Sequence, residues 1–211
     1  MKKLFLLAVC MLSMLTVSAQ MRPTMMFEVG IGMSGWTGDA AKGSNAIFNP
    51  RVGVTADVPL NEWFSFQPGL SWVSKGAKMD VPAQITQLVD CDDMTINQNY
   101  FQVPLMAAFH MRATDNFDLV FTAGPYIAVG VNGKTEIKID DVTASWKTFK
   151  DAKVMNYELD GFRRFDAGIG VGVALDFPHW IVGVDADFGL CKVCKDGPRN
   201  YDLFFSAGFK F

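Results

Sequence analysis

The chain has 211 residues, half of them hydrophobic, with 19 glycines, 18 phenylalanines and a formal charge of −3. Acids outnumber lysine and arginine and no basic patch forms, which excludes nucleic acid as a partner. Past the N-terminus no apolar run reaches the length of a membrane helix, so any membrane crossing must use strands.

The N-terminal stretch "MKKLFLLAVCMLSMLTVSAQ" opens with Lys2 and Lys3, continues through apolar Leu4–Leu15 and ends on the small residues Val17-Ser18-Ala19. This pattern is a secretory signal peptide, residues 1–19, ahead of a single domain over residues 20–211. Loss of Lys2 and Lys3 takes the formal charge from −3 to −5.

Eight stretches of alternating polarity follow, each reading as a strand with two unlike faces. The first sets Phe27, Val29, Ile31 and Met33 against Glu28, Gly30, Gly32 and Ser34. The second sets Val52, Val54, Ala56 and Val58 against Arg51, Gly53, Thr55 and Asp57, and the third sets Phe64, Phe66, Leu70 and Trp72 against Ser65, Gln67, Gly69 and Ser71. The fourth runs from Tyr100 to Met111 and the fifth from Phe117 to Gly130. The sixth, Arg163–Phe177, carries Arg164, Asp166 and three glycines on its polar face; the seventh, Trp180–Leu190, carries Asp185 and Asp187. The last sets Tyr201, Leu203, Phe205, Ala207, Phe209 and Phe211 against Asp202, Phe204, Ser206, Gly208 and Lys210.

Connections alternate between short turns (Pro59–Glu62, Ala113–Asn116, Pro178–His179) and longer loops (Trp36–Phe48, Gly76–Asn99, Gly133–Asp160, Cys191–Asn200). Short inner turns, long outer loops and small residues on the polar face predict an all-β fold. The expected form is an eight-stranded antiparallel up-and-down transmembrane β-barrel of the outer membrane, with both termini in the periplasm. Phe205, Phe209 and Phe211 then face lipid. A secreted β-sandwich or lipocalin-like barrel is the competing fold.

The inward charges Glu28, Arg51, Asp57, Arg164, Asp166, Asp185 and Asp187 are candidates for a lumen ion-pair network, because charges inside a narrow barrel must pair or stay wet. Cys91, Cys191 and Cys194 fall in loops on one side. Export favours a loop disulfide between Cys91 and either of the others, or a strained Cys191–Cys194 ring. The CxxC spacing of Cys191 and Cys194 lacks a second pair that would argue for zinc. His110 and His179 both fall at the short-turn end, away from the outer rim where a barrel enzyme would need an activated histidine. With no nucleophile elbow, HExxH or P-loop, the chain is expected to be no enzyme, with no cofactor and no catalytic, cofactor-binding or metal site. The loop Gly133–Asp160 mixes charges with Trp146, Phe149, Met155 and Tyr157 as apolar anchors, and its "TEIKID" alternates like a hairpin. The loops either offer such anchors to a partner or only cap the barrel.

Four segments carry a family resemblance. Gln67-Pro68-Gly69-Leu70, Lys75-Gly76-Ala77-Lys78, Tyr100-Phe101-Gln102-Val103-Pro104-Leu105 and Ala123-Gly124-Pro125-Tyr126 resemble the PorT-like outer membrane β-barrel family of the Bacteroidetes. Gly69 stands where that family commonly has an acid. The resemblance implies the barrel fold, and membership of a type IX secretion or gliding apparatus as an alternative role. The sequence itself predicts a non-enzymatic envelope structural or interaction protein working through its external loops, with a narrow transport pore as a further alternative. Expected partners are the outer-membrane bilayer, the barrel-assembly machinery during insertion and an envelope protein, and the chain is expected to be a monomer.

Overall fold

The computed structural model describes residues 23–80, 91–139, 142–154, 157–159 and 161–211. Residues 1–19, read above as a signal peptide, lie outside them. The strands are β1 (Thr24–Thr37), β2 (Ser44–Asn45), β3 (Ile47–Pro59), β4 (Phe64–Asp80), β5 (Cys91–Arg112), β6 (Asp118–Ile139), β7 (Val142–Lys147), β8 (Ala152–Val154), β9 (Tyr157–Leu159), β10 (Phe165–Asp176), β11 (Trp180–Lys192) and β12 (Arg199–Lys210). A 3₁₀ turn, Asp39–Ala41, follows β1.

Eight of these strands close an antiparallel barrel in the order β1, β3, β4, β5, β6, β10, β11, β12, with β12 pairing back onto β1. The eight-stranded up-and-down barrel expected from the sequence is therefore the fold. Closure removes every free edge from the barrel wall.

Alternation places the side chains as two environments on one wall. Neighbouring Phe204 and Phe205 show the switch most sharply: the first is 0% exposed and the second 65%. Register reinforces it, since Phe27 lies opposite both Phe209 and Val54, and Ile31 opposite both Phe205 and Pro50. A one-residue slip would turn each of these rows into the lumen.

The strand bounds depart from the sequence expectation at one end. β5 starts at Cys91 rather than Tyr100, and β6 continues to Ile139 rather than Gly130. Much of the two longest expected loops is therefore paired β-structure. The pairing persists where the hydropathy alternation fades, because Thr95, Asn97 and Asn99 replace apolar residues on the outer face while the ladder runs on to Thr135, Glu136 and beyond. The "TEIKI" residues, Thr135–Ile139, pair with β5 on one side and β7 on the other.

Gly76 interrupts this extension of β4. Its φ is +152°, and a Cβ there would lie 1.9 Å from the Ile96 carbonyl oxygen, so only glycine lets the two strands approach.

Candidate functional site

The lumen is filled in layers. The layer nearest the long-loop end centres on Lys75, which is wholly buried. Its Nζ lies 2.9 Å from Asp202 and 3.4 Å from Asp166. Tyr126 donates to the same Asp166 oxygen at 3.3 Å, Asn200 reaches it at 3.5 Å, and the Trp36 indole N–H donates to Asn200 at 3.0 Å. The Lys75 ammonium sits 4.5 Å from the Tyr126 ring centroid and 5.8 Å from that of Tyr100. Strands β4, β5, β6, β10 and β12 thus meet around one cation, and β1 joins them through Trp36 and Asn200. A buried charge of this kind persists only when its partners are in place.

The next layer surrounds a cavity of about 80 Å³. Arg51 donates to Asp185 at 2.6 Å, and Ser206 donates to the same carboxylate at 2.6 Å. Thr55 donates to Glu28 at 2.6 Å and Gln102 to Asp187 at 2.8 Å. The Arg51 guanidinium lies 4.9 Å from the Phe204 ring centroid, which separates this layer from the one above.

The short-turn mouth holds a third group. Ser65 bonds Asp57 and lies 2.7 Å from His110 Nε2, while Gln67 donates to Asp57 at 2.9 Å. Lys210 pairs with Asp176 nearby. These residue types invite comparison with a hydrolytic triad, but the geometry differs. Asp57 binds the serine hydroxyl and stands 3.9 Å from Nε2, the same ring nitrogen that faces Ser65. In a triad the carboxylate holds the other nitrogen and fixes the tautomer. This cluster plugs the mouth.

Six of the seven residues expected in a lumen network point inward: Glu28, Arg51, Asp57, Asp166, Asp185 and Asp187. They form three separate groups. Arg164 does not join them. It precedes β10 at the rim, is exposed, donates to the carbonyl oxygens of Gly130 and Val131 at 2.8 and 3.3 Å, and lies 5.1 Å from the Phe149 ring. Asp202 stands on the polar face of its alternating stretch and Lys75 within Lys75-Gly76-Ala77-Lys78, but neither position reveals a partner. Their pairing spans the lumen between β4 and β12, and no local pattern encodes it.

The long-loop end is capped by its own chain. Phe149 is buried against Tyr100 in an edge-to-face contact, with centroids 5.6 Å apart. It seats over Gly130, where a Cβ would come within 2.4 Å of the ring. Phe162 packs 5.7 Å from Trp36 and its N–H donates to Thr148 at 2.9 Å. Phe149 thus takes the capping reading of its loop and serves as part of a lid, and Trp146 is half-buried on β7. Met155 and the side chain of Tyr157 lie outside the described residues.

Cys191 and Cys194 are free thiols, half-buried at the β11–β12 turn, so no bond joins them. The Cys91 side chain, their other expected partner, lies outside the described residues. Burial pushes the Cys194 thiol up, with Arg163 pulling the other way, so it is a protonated packing group rather than a reactive thiolate. Among the described residues no three metal-ligating side chains converge.

Outside, the barrel wears an apolar band. Phe205, Phe209 and Phe211 are all exposed on it. At the short-turn end aromatics cluster: Trp180 stacks on Phe177 at 4.2 Å, Phe177 meets Phe117 at 5.4 Å, and Phe109 contacts Phe64 at 5.1 Å. At the other end the outer face turns polar between Phe101 and Asn99, where Asn99 donates to Asn132 at 2.6 Å. An apolar band with interfacial aromatics is the dress of a barrel in a bilayer.

Known proteins agree with this geometry. The sequence profile described as "Outer membrane protein beta-barrel domain" matches residues 19–195. A major outer membrane protein from Thermus thermophilus superposes with a TM-score of 0.53 at 9% identity, over 90% of this chain and 100% of the other. OprG from Pseudomonas aeruginosa gives 0.49 at 10% identity over 90% and 95%, and Ail, the attachment invasion locus protein of Yersinia pestis, gives 0.43 at 14% identity over 90% and 100%. At such identities the likeness is one of fold. No curated protein sequence matches the chain. With the profile spanning most of the sequence and a closed eight-stranded barrel beneath it, the chain belongs to the outer membrane protein β-barrel domain family.

Proposed function

We propose that this outer-membrane barrel is a closed, non-enzymatic envelope protein that acts through the structure it raises at its long-loop end, with that end outside the cell and both termini in the periplasm. The observation that carries this is the sealed lumen. Lys75, Tyr100, Tyr126, Asn200 and Phe204 are each essentially without exposure, and Phe149 covers them. A lumen so filled carries no solute, and the contact between His110 and Ser65 has the wrong geometry for covalent catalysis. What remains accessible is the extension of β4, β5, β6 and β7 beyond the apolar band. Its outer face carries Asn97, Asn99, Asn132, Lys134 and Glu136.

The test is a gentle-detergent pull-down of the tagged protein from its native outer membrane, beside a variant altered only on the extension (Lys134→Glu, Trp146→Ala). A stoichiometric envelope partner present with the parent and lost with the variant supports the proposal. A partner held equally by both, or no partner at all, contradicts it. A secretion or gliding component as the captured protein would assign the alternative role implied by the PorT-like resemblance.

A further inference from the structure

One stretch of the long-loop rim is cationic, although the chain as a whole is acidic. At the entry to β10 and around the β11–β12 turn, residues 161–165 and 190–200 carry Arg163, Arg164, Lys192, Lys195 and Arg199 against a single acid, Asp196. All six are exposed. Arg164 uses its guanidinium on the Gly130 and Val131 carbonyl oxygens. Three of the others sit side by side across the wall. Lys192 and Arg199 are cross-strand partners, and on the other flank of β11 the Arg163 N–H donates to the Val193 carbonyl oxygen at 2.7 Å. Neighbouring strands lie about 5 Å apart, so the three side chains can converge on one anion. Like charges directly opposite each other destabilise a sheet. The local acid offsets them little, since Asp196 approaches Lys192 at 3.5 Å but is 87% exposed. Among the described residues no carboxylate pairs with Arg163, Lys195 or Arg199.

The position of the cluster selects the anion. Phe165 directly follows Arg164, Leu190 lies two residues before Lys192, and both are exposed on the outer wall, at 56% and 61%. The cations therefore begin where the apolar band ends. A lipid whose chains lie on that band brings its phosphate to this height, and arginine and lysine stems can follow apolar surface while their heads reach it. Arg199 is already held there, its Nε donating to the Leu190 carbonyl oxygen at 3.2 Å. We propose that the β10–β12 rim binds the phosphate of a membrane lipid in the leaflet at the long-loop end. Arg163 and Arg199 offer planar forks to its oxygens, and Lys192 supplies a point charge between them. A soluble anion would meet the same charges without the apolar wall beneath. The site is separate from the β4–β7 extension and holds whatever that extension binds.

The test refolds the protein into vesicles of equal parts phosphatidylcholine and phosphatidic acid with the same acyl chains, extracts it in mild detergent and reads the bound lipid by native mass spectrometry. The expected result is retention of phosphatidic acid about tenfold over phosphatidylcholine, a preference that falls as salt rises. The combined variant Arg163→Gln, Lys192→Gln, Arg199→Gln should lose it, while Arg112→Gln, an exposed cation at the short-turn end, should keep it. No preference in the parent, or one that survives the combined variant, would overturn the proposal. Displacement of the lipid by inorganic phosphate, but not by chloride at equal ionic strength, would also overturn it, by assigning the rim to a free anion. Should the combined variant not refold, Lys192→Gln alone decides. A preference reduced several-fold supports the site, and an unchanged one sinks it.

Discussion

Lys75 is the residue on which the lumen turns. It sits on β4, and Asp202 and Asp166 reach it across the barrel from β12 and β10. Lys75→Met keeps most of the volume but leaves both carboxylates buried without their cation. It is expected to lower unfolding stability by about 3–5 kcal/mol in urea titrations of the detergent-folded barrel. Adding Asp202→Leu should recover part of the loss, since it removes one of the two stranded carboxylates and leaves Asp166. A Lys75→Met loss below about 1 kcal/mol would show that the pair is not holding the layer. Cys194 offers a gentler check. Because burial raises its thiol, alkylation at pH 8 should be slower than for a free cysteine, and Arg163→Gln should slow it further. Faster alkylation would contradict the packing role. The inward placement of Asp166, Asp185 and Asp187 was legible from alternation alone. Their partners were not, because a contact across the lumen leaves no trace in the spacing of either strand. The segments resembling PorT-like barrels gain a physical reading here: Gln67, Lys75, Pro104 and Tyr126 all face inward, so those motifs describe how the lumen is filled.

The strands divide into a membrane portion and an extension, and the two should answer charge differently. Val171 lies on the outer face midway along β10. Val171→Arg should cost about 2–4 kcal/mol in lipid vesicles, whereas Ser145→Arg on exposed β7 should cost less than about 0.5 kcal/mol. Equal costs would mean that the apolar band is not where the bilayer sits. Gly76→Ala tests the extension itself. Its positive φ and the 1.9 Å approach to the Ile96 carbonyl oxygen predict a loss of about 1–3 kcal/mol, seen as faster amide exchange at Ile96 and Gln98. Unchanged exchange there would remove the glycine's claim. The membrane portions of all eight strands could be read from the sequence. The extensions of β5 and β6 could not, because strand signals rest on a contrast between two faces, and above the band both faces are wet or mixed.

At the scale of the whole molecule the features converge on a barrel closed by its own side chains. Three polar layers fill the lumen, Phe149 and Phe162 lie over one end, and the Asp57–Ser65–His110 group closes the other. Phe149→Ala should loosen the lid and raise protease cleavage near it, while leaving the barrel's heat-resistant mobility on gels unchanged. Cleavage at the parental rate would deny Phe149 that role. Chain order and turn lengths made the barrel legible in advance. A filled, polar lumen was legible as well, from the charges and glycines on the inward faces; the aromatic lid was not, since nothing in a loop's composition shows whether its aromatics turn outward to a partner or inward to a lumen, and Phe149 and Phe162 do the second. The measurement that bears most directly on a closed barrel is single-channel recording of the purified, refolded protein in planar bilayers. The expected trace is flat at about ±100 mV in molar salt, with Lys75→Met and Phe149→Ala equally silent unless the barrel unfolds. Stable, reproducible conductance steps from the parent protein would contradict a sealed lumen and return the transport-pore reading to first place.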